Sequence, residues 1–231
     1  KANEYALSVA AAKQLYPKMA VGGSLKFITS QLEDYNSVGL AADLGFYYQD
    51  TASLFAAALV IKNMGMQLSR YHDVREDIPF DVQIGISQKL AHLPFRISIS
   101  YHDLHRWNIR YDDPNTEEDL FLLADTTARA EGKFKAYVDN FFRHLTFGGE
   151  FLLGKKENLQ IRFGYNHQRR KELTVENLRS LTGFSLGIGM KIKRFRISYG
   201  HAFYHLAGGT NHISITTNLG SFRRRIEKTG A

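Results

Sequence analysis

The chain has no cysteine, one tryptophan and only four prolines among its 231 residues. Without cysteine there is no disulfide, no thiol nucleophile and no thiolate metal site. Few prolines and no low-complexity stretch leave no visible linker, so the sequence reads as a single domain over residues 1–231. No window approaches about eighteen uninterrupted apolar residues, which excludes a membrane-spanning helix but not a β-barrel, which crosses with strands. No helix carries a Lys/Arg stripe and no aromatic-basic motif occurs, so nucleic acid is not an expected partner. Neither an initiator methionine nor a signal peptide precedes Lys1, so the chain reads as processed or as a piece of a longer one.

What is present is a basic, aromatic sequence. The net charge is +7, with 12 Tyr and 16 Phe, and 44% of residues are hydrophobic, which excludes intrinsic disorder. The basic excess suits anionic lipid headgroups or lipopolysaccharide.

The dominant signal is a period of two. In Asn158–Arg170, Leu159, Ile161, Phe163 and Tyr165 alternate with Gln160, Arg162, Gly164 and Asn166. The pattern recurs from Tyr5 to Leu219 and predicts about eleven strands of roughly ten residues. One helix is predicted from about Glu131 to Leu145, because Phe134, Tyr137, Val138, Phe141 and Phe142 fall at spacings of three and four.

Links alternate in length. Five are tight turns (QLYPK, YQDT, KLAHLP, LGKKEN and KIKR), whereas the long ones, Asn63–Pro79, Asp103–His144 and Asn166–Thr182, all fall in the other set. A meander with short turns at one end and longer loops at the other is the pattern of an outer-membrane barrel rather than of a Greek-key sandwich. The residues opposite the apolar faces are mostly Gly, Ser, Thr and Asn with scattered charges, which suits a lumen better than a solvent face. The apolar faces therefore read as lipid-facing. The alternative is a soluble sandwich with the same faces turned inward. Since barrel termini lie on the periplasmic side, the direction of the first strand implies an odd number of strands before it.

Candidate chemistry is thin. Lumen charges Lys26, Arg96, Arg162, Lys191 and Arg196 face Asp43, Asp81 and Glu150, which reads as a structural charge network. His102 and His105 would point to opposite sides of a strand, so no metal is expected without a turn there. Ser100, His102 and Asp103 show nothing beyond ordinary strand-end polarity, and GFSLGIG (Gly183–Gly189) lacks the strand–turn–helix setting of a dinucleotide loop. No catalytic residue and no cofactor is expected.

Several stretches resemble a known family. IPFDVQIGISQKLAHLPFRISISYHDLHRW (Ile78–Trp107), LVIKNMG (Leu59–Gly65), HLTFGGEFLLGKKENLQIRFGYNHQRRKEL (His144–Leu173) and GFSLGIGMKIKRFRISYGHAFYHLAGGTNHISI (Gly183–Ile215) are similar to the PorQ family of type IX secretion system outer-membrane proteins, within the PorV and FadL-like barrel group. The resemblance implies an all-β, antiparallel transmembrane barrel, FadL-like, of about fourteen strands, of which about eleven are present here. It implies location in the outer membrane of a Gram-negative, Bacteroidetes-type bacterium. It implies a non-enzymatic role, holding a PorZ-like surface protein in an attachment complex with PorU and PorV-like proteins. The alternative is a FadL-like transporter of hydrophobic small molecules. Trp107, Tyr111, Tyr137, Phe141, Arg169 and Arg170, in the long loops, are the candidate partner-binding residues.

Overall fold

Eleven strands follow one another in the hydrogen-bonded order of the sequence. The computed structural model describes residues 2–32, 35–69, 77–110, 126–154, 156–173, 181–205 and 208–218. The strands are β1 (Ala2–Tyr16), β2 (Met19–Leu32), β3 (Tyr35–Asp50), β4 (Phe55–Ser69), β5 (Asp81–Lys89), β6 (Phe95–Tyr101), β7 (Leu145–Leu153), β8 (Leu159–Asn166), β9 (Phe184–Ile192), β10 (Phe195–His205) and β11 (Gly208–Thr217). They make one eleven-stranded sheet in which each strand pairs with its neighbours in sequence. The pairings from β1 to β5 and from β8 to β11 are antiparallel, from Tyr16↔Met19 in the first hairpin to Phe195↔Ile192 and Phe195↔Thr217 in the last strands. The strands follow one another as a meander, the order expected from the alternating link lengths.

Among the described residues two helices interrupt the strands: α1 (Thr126–Arg143) and α2 (His167–Glu172). The first starts about a turn earlier than expected. The second was read as part of a loop; Asn166 caps it by accepting a hydrogen bond from the Arg169 N–H at 2.8 Å. Likewise β4 runs to Ser69, through residues assigned to a loop from Asn63. Met64 and Met66 continue the apolar alternation, which is why the strand continues.

The chain divides into two compact units, residues 1–89 with 98–146 and residues 90–97 with 147–231. In the first, one face of the strands carries Leu25, Phe27, Leu40, Leu44, Phe46 and Ile84, all exposed. In the second, Phe151, Ile161, Phe163, Phe184, Leu186 and Ile197 are exposed in the same way. Among the described residues the buried hydrophobic side chains are Ala41, Ile109 and Leu152. Within each unit the large apolar side chains thus stand exposed on one face of the strands. On that face of the second unit, Phe95 stacks on Phe163 (5.9 Å, 18°) and lies 4.8 Å from Phe151. Phe163 covers Gly149, where a Cβ would collide with the ring.

Candidate functional site

The opposite face collects the polar groups. In the first unit they converge on Asp43. Residues Ser24 and Asp43 are opposite one another in the β2–β3 register, and Lys26 lies two residues along on the same face. Lys26 Nζ donates to Asp43 Oδ1 at 2.8 Å and to Asn63 Oδ1 at 2.9 Å, and Ser24 Oγ donates to Asp43 Oδ2 at 2.9 Å. Asn63 owes its place to a β-bulge. The register steps from Leu44↔Ile61 to Ala42↔Met64, so Asp43 faces two residues of β4. Asn63 takes the extra position at φ 58, a left-handed conformation that asparagine tolerates. Its backbone N–H then donates to Asp43 Oδ1 at 2.9 Å, and its Nδ2 donates to the Pro79 carbonyl at 2.8 Å.

In the second unit the polar groups converge on Glu150. Arg96 Nη1 donates to Oε2 at 2.9 Å and Arg162 Nε to Oε1 at 2.7 Å, while Arg162 Nη2 also donates to the Gln160 side chain. Two cations on one carboxylate leave this cluster with a formal excess of one positive charge.

Asp81 is placed differently from the expectation that an arginine would neutralise it. Its Oδ1 accepts the Asp103 N–H at 2.7 Å and its Oδ2 accepts from Gln83. Asp103 sits at φ 53 just past β6, and this turn brings His105 to the two aspartates. One ligand atom from each of Asp81, Asp103 and His105 lies within 4.8 Å of the others. The carboxylates already accept N–H donors, and Arg106 Nε stands 3.6 Å from Asp103, so the cluster is self-satisfied. His102, the other histidine of the pair, instead places Nδ1 3.0 Å from Asp103 Oδ2. Its Nε2 is buried with no hydrogen-bond partner, so among the described residues no nucleophile joins this His–Asp pair. Lys191 and Arg196 are exposed and form no ion pair among the described residues.

The candidate partner residues fall into two groups. Trp107, Tyr137 and Phe141 belong to the first unit, with Trp107 4.8 Å from Tyr137. Arg169 and Arg170 lie on α2 in the second unit, where Arg169 sits 4.6 Å over the Tyr204 ring. Tyr111 lies outside the described residues. Sequence reading did not single out Asn63, Asn140 or His144. A signal for Asn63 was present: the apolar positions of β4 are odd-numbered at Leu59 and Ile61 and even-numbered at Met64 and Met66. That switch of parity is what one inserted residue produces. Comparison with protein-family models and with curated proteins finds no match to this chain.

Proposed function

We propose that this chain is a non-enzymatic outer-membrane component of a type IX secretion system, the bulk of a FadL-like barrel of about fourteen strands. The observation that carries the membrane part is the exposure of apolar side chains along one face of the strands, with ion-paired Lys26, Asp43, Arg96, Glu150 and Arg162 on the other. All strands but β6 and β8 have nine residues or more, enough to cross a bilayer when tilted. The role in secretion rests on the resemblance of Ile78–Trp107 and its companion stretches to the PorQ family. In this reading the loops hold a PorZ-like protein near PorU and PorV-like proteins, on a surface rich in lipopolysaccharide. Two measurements test the two parts. Spin labels at Ile161 and Phe163 should be reached by lipid-soluble and not by water-soluble quenchers. Deletion of the gene should release the PorZ-like protein from the cell surface and impair secretion; retention of both would refute the role.

One feature favours the transporter reading. A groove of about 570 Å³ in the first unit is lined mainly by apolar residues, among them Ala10, Gly22, Gly45 and Ala58, with Ser24 and Asp43 also on its wall. Saturable binding of a fluorescent fatty acid, lost on Gly45→Phe, would favour transport over scaffolding.

A further inference from the structure

Helix α1 holds its polar side inward and its aromatic side outward. Asn140, 4% exposed, donates from Nδ2 to the Trp107 carbonyl at 2.6 Å and accepts from the Ile109 N–H at 3.2 Å. Arg143 pairs with Asp139 at 2.8 Å. His144, which follows the helix, is fully buried, with its ring nitrogens 2.8 Å from the His102 carbonyl and 2.9 Å from the Trp107 carbonyl. It also stacks on Tyr101 at 4.7 Å, with 3° between the planes. These contacts set the roll of the helix, because Asn140 and the His144 anchor must both stay inside.

Phe134, Tyr137 and Phe141 fall on an adjoining stripe, whose inner edge meets Trp107 through Tyr137, and are 70%, 58% and 40% exposed. Packing of this face onto the rest of the fold is partial: Tyr137 lies 4.8 Å from Trp107 and Phe141 lies 6.2 Å from Tyr101, yet all three rings remain exposed. A stripe of exposed aromatic rings is unfavourable in water. It is also continuous with the apolar strand face of its unit. Phe141 lies 6.2 Å from Tyr101, the last residue of β6 on that face, and 5.8 Å from Phe142. Lys135, next to Phe134, is exposed.

We propose that the aromatic face of α1 lies in the headgroup–acyl boundary of an anionic lipid surface, as an interfacial helix attached to the spanning strands. The inference rests on the reading of those strands as lipid-facing. Aromatic rings are favoured at that depth, and cationic side chains meet anionic headgroups there. A protein partner fits less well. Interface anchors usually combine aromatics with arginine, and the one arginine among the described side chains of α1, Arg143, is turned inward onto Asp139.

The chain has no cysteine, so single-cysteine fluorophores report one site each. The full chain carrying Tyr137→Cys or Ile84→Cys is reconstituted in phosphatidylcholine–phosphatidylglycerol vesicles with a nitroxide on the headgroup or deep in the acyl chain. The headgroup nitroxide should quench the label at position 137 about twofold more than the deep one, and the order should reverse at position 84. Phe134→Cys repeats the test should the Tyr137 variant not fold. If iodide in the water reaches both helix labels while position 84 is quenched by lipid, the helix inference is overturned and the membrane reading stands. If iodide reaches position 84, both readings fall. Helix labels shielded from lipid nitroxide and iodide alike would mean that protein covers the face, and this too overturns the inference. Equal quenching in vesicles of phosphatidylcholine alone would overturn the preference for anionic lipid.

Discussion

Asp43 and Glu150 solve one problem in two ways. Each is a carboxylate on the polar face of its own unit, two residues or fewer from glycine, serine or apolar neighbours that offer it little. Asp43 is met by one ammonium, one hydroxyl and one backbone N–H. Glu150 is met by two guanidinium groups and no backbone donor among the described contacts. The first solution depends on backbone shape, since the N–H is delivered by a bulge. The second depends on side chains alone, with Arg96 supplied from β6 and Arg162 from β8. The first can therefore be broken by changing conformation without touching a charge, and the second only by changing charge.

The largest break places a cation on the wrong face. Arg162 is neutralised by Glu150, whereas an arginine one residue away, in Ile161→Arg, finds only the outer face. In a bilayer this variant should lose about 2–4 kcal/mol if position 161 lies near the midplane, measured by urea unfolding of the reconstituted chain. Next is Glu150→Gln, which leaves Arg96 and Arg162 facing one another without a counter-charge. A loss of about 2–3 kcal/mol is expected, below the full cost for a buried pair because both arginines are partly exposed. Arg96→Gln added to it should return part of that loss; a further drop instead would mean that Arg96 packs for reasons other than charge.

The conformational arm of the comparison is tested at Asn63. Asn63→Val puts a β-branched residue at φ 58 and should cost about 1–3 kcal/mol. Asn63→Gly keeps the bulge and its N–H, and loses only the acceptor for Lys26 and the bond to Pro79, so it should cost about 0.5–1.5 kcal/mol. Equal losses for the two would show that the side chain, not the bulge, matters. The smallest effect belongs to the turn-end pair Lys18–Asp50, at 3.0 Å. The Lys18 ammonium, with the Ala52 N–H, holds the Asp50 carboxyl below its ordinary range. A lowered folded pKa gives stability that is present above the unfolded value and lost as pH falls through the folded one. For so exposed a pair, Asp50→Asn should change the unfolding midpoint barely, and added salt should erase the difference.

Strand number, face and order were legible because each strand repeats the same two-residue period with large apolar side chains on one side. Leu159 to Tyr165 needed no knowledge of any partner strand. Lys26 with Asp43, and Arg96 and Arg162 with Glu150, were named as members of one polar face, but not as two separate clusters, because register decides which charges meet. Asp81 was misjudged because its partner is a backbone N–H presented by the left-handed turn at Asp103, and no side-chain pattern announces that. The roll of α1 was not legible for a related reason. Aromatic spacing identifies a stripe, but the bonds of Asn140 to Trp107 and Ile109 decide which side turns in.

The bulge at Asn63 also sets which changes of chain length β4 can absorb. Ile61 and Met64 point to the same face with two residues between them, so removing Asn63 leaves Ile61, Lys62 and Met64 in unbroken alternation against Leu44, Asp43 and Ala42. Loss of any residue between Phe55 and Ile61 would instead turn one side of the strand inside out. A single-codon deletion scan along β4 should therefore find its tolerated positions at the two places where the register with β3 steps, Lys62–Asn63 and Leu68.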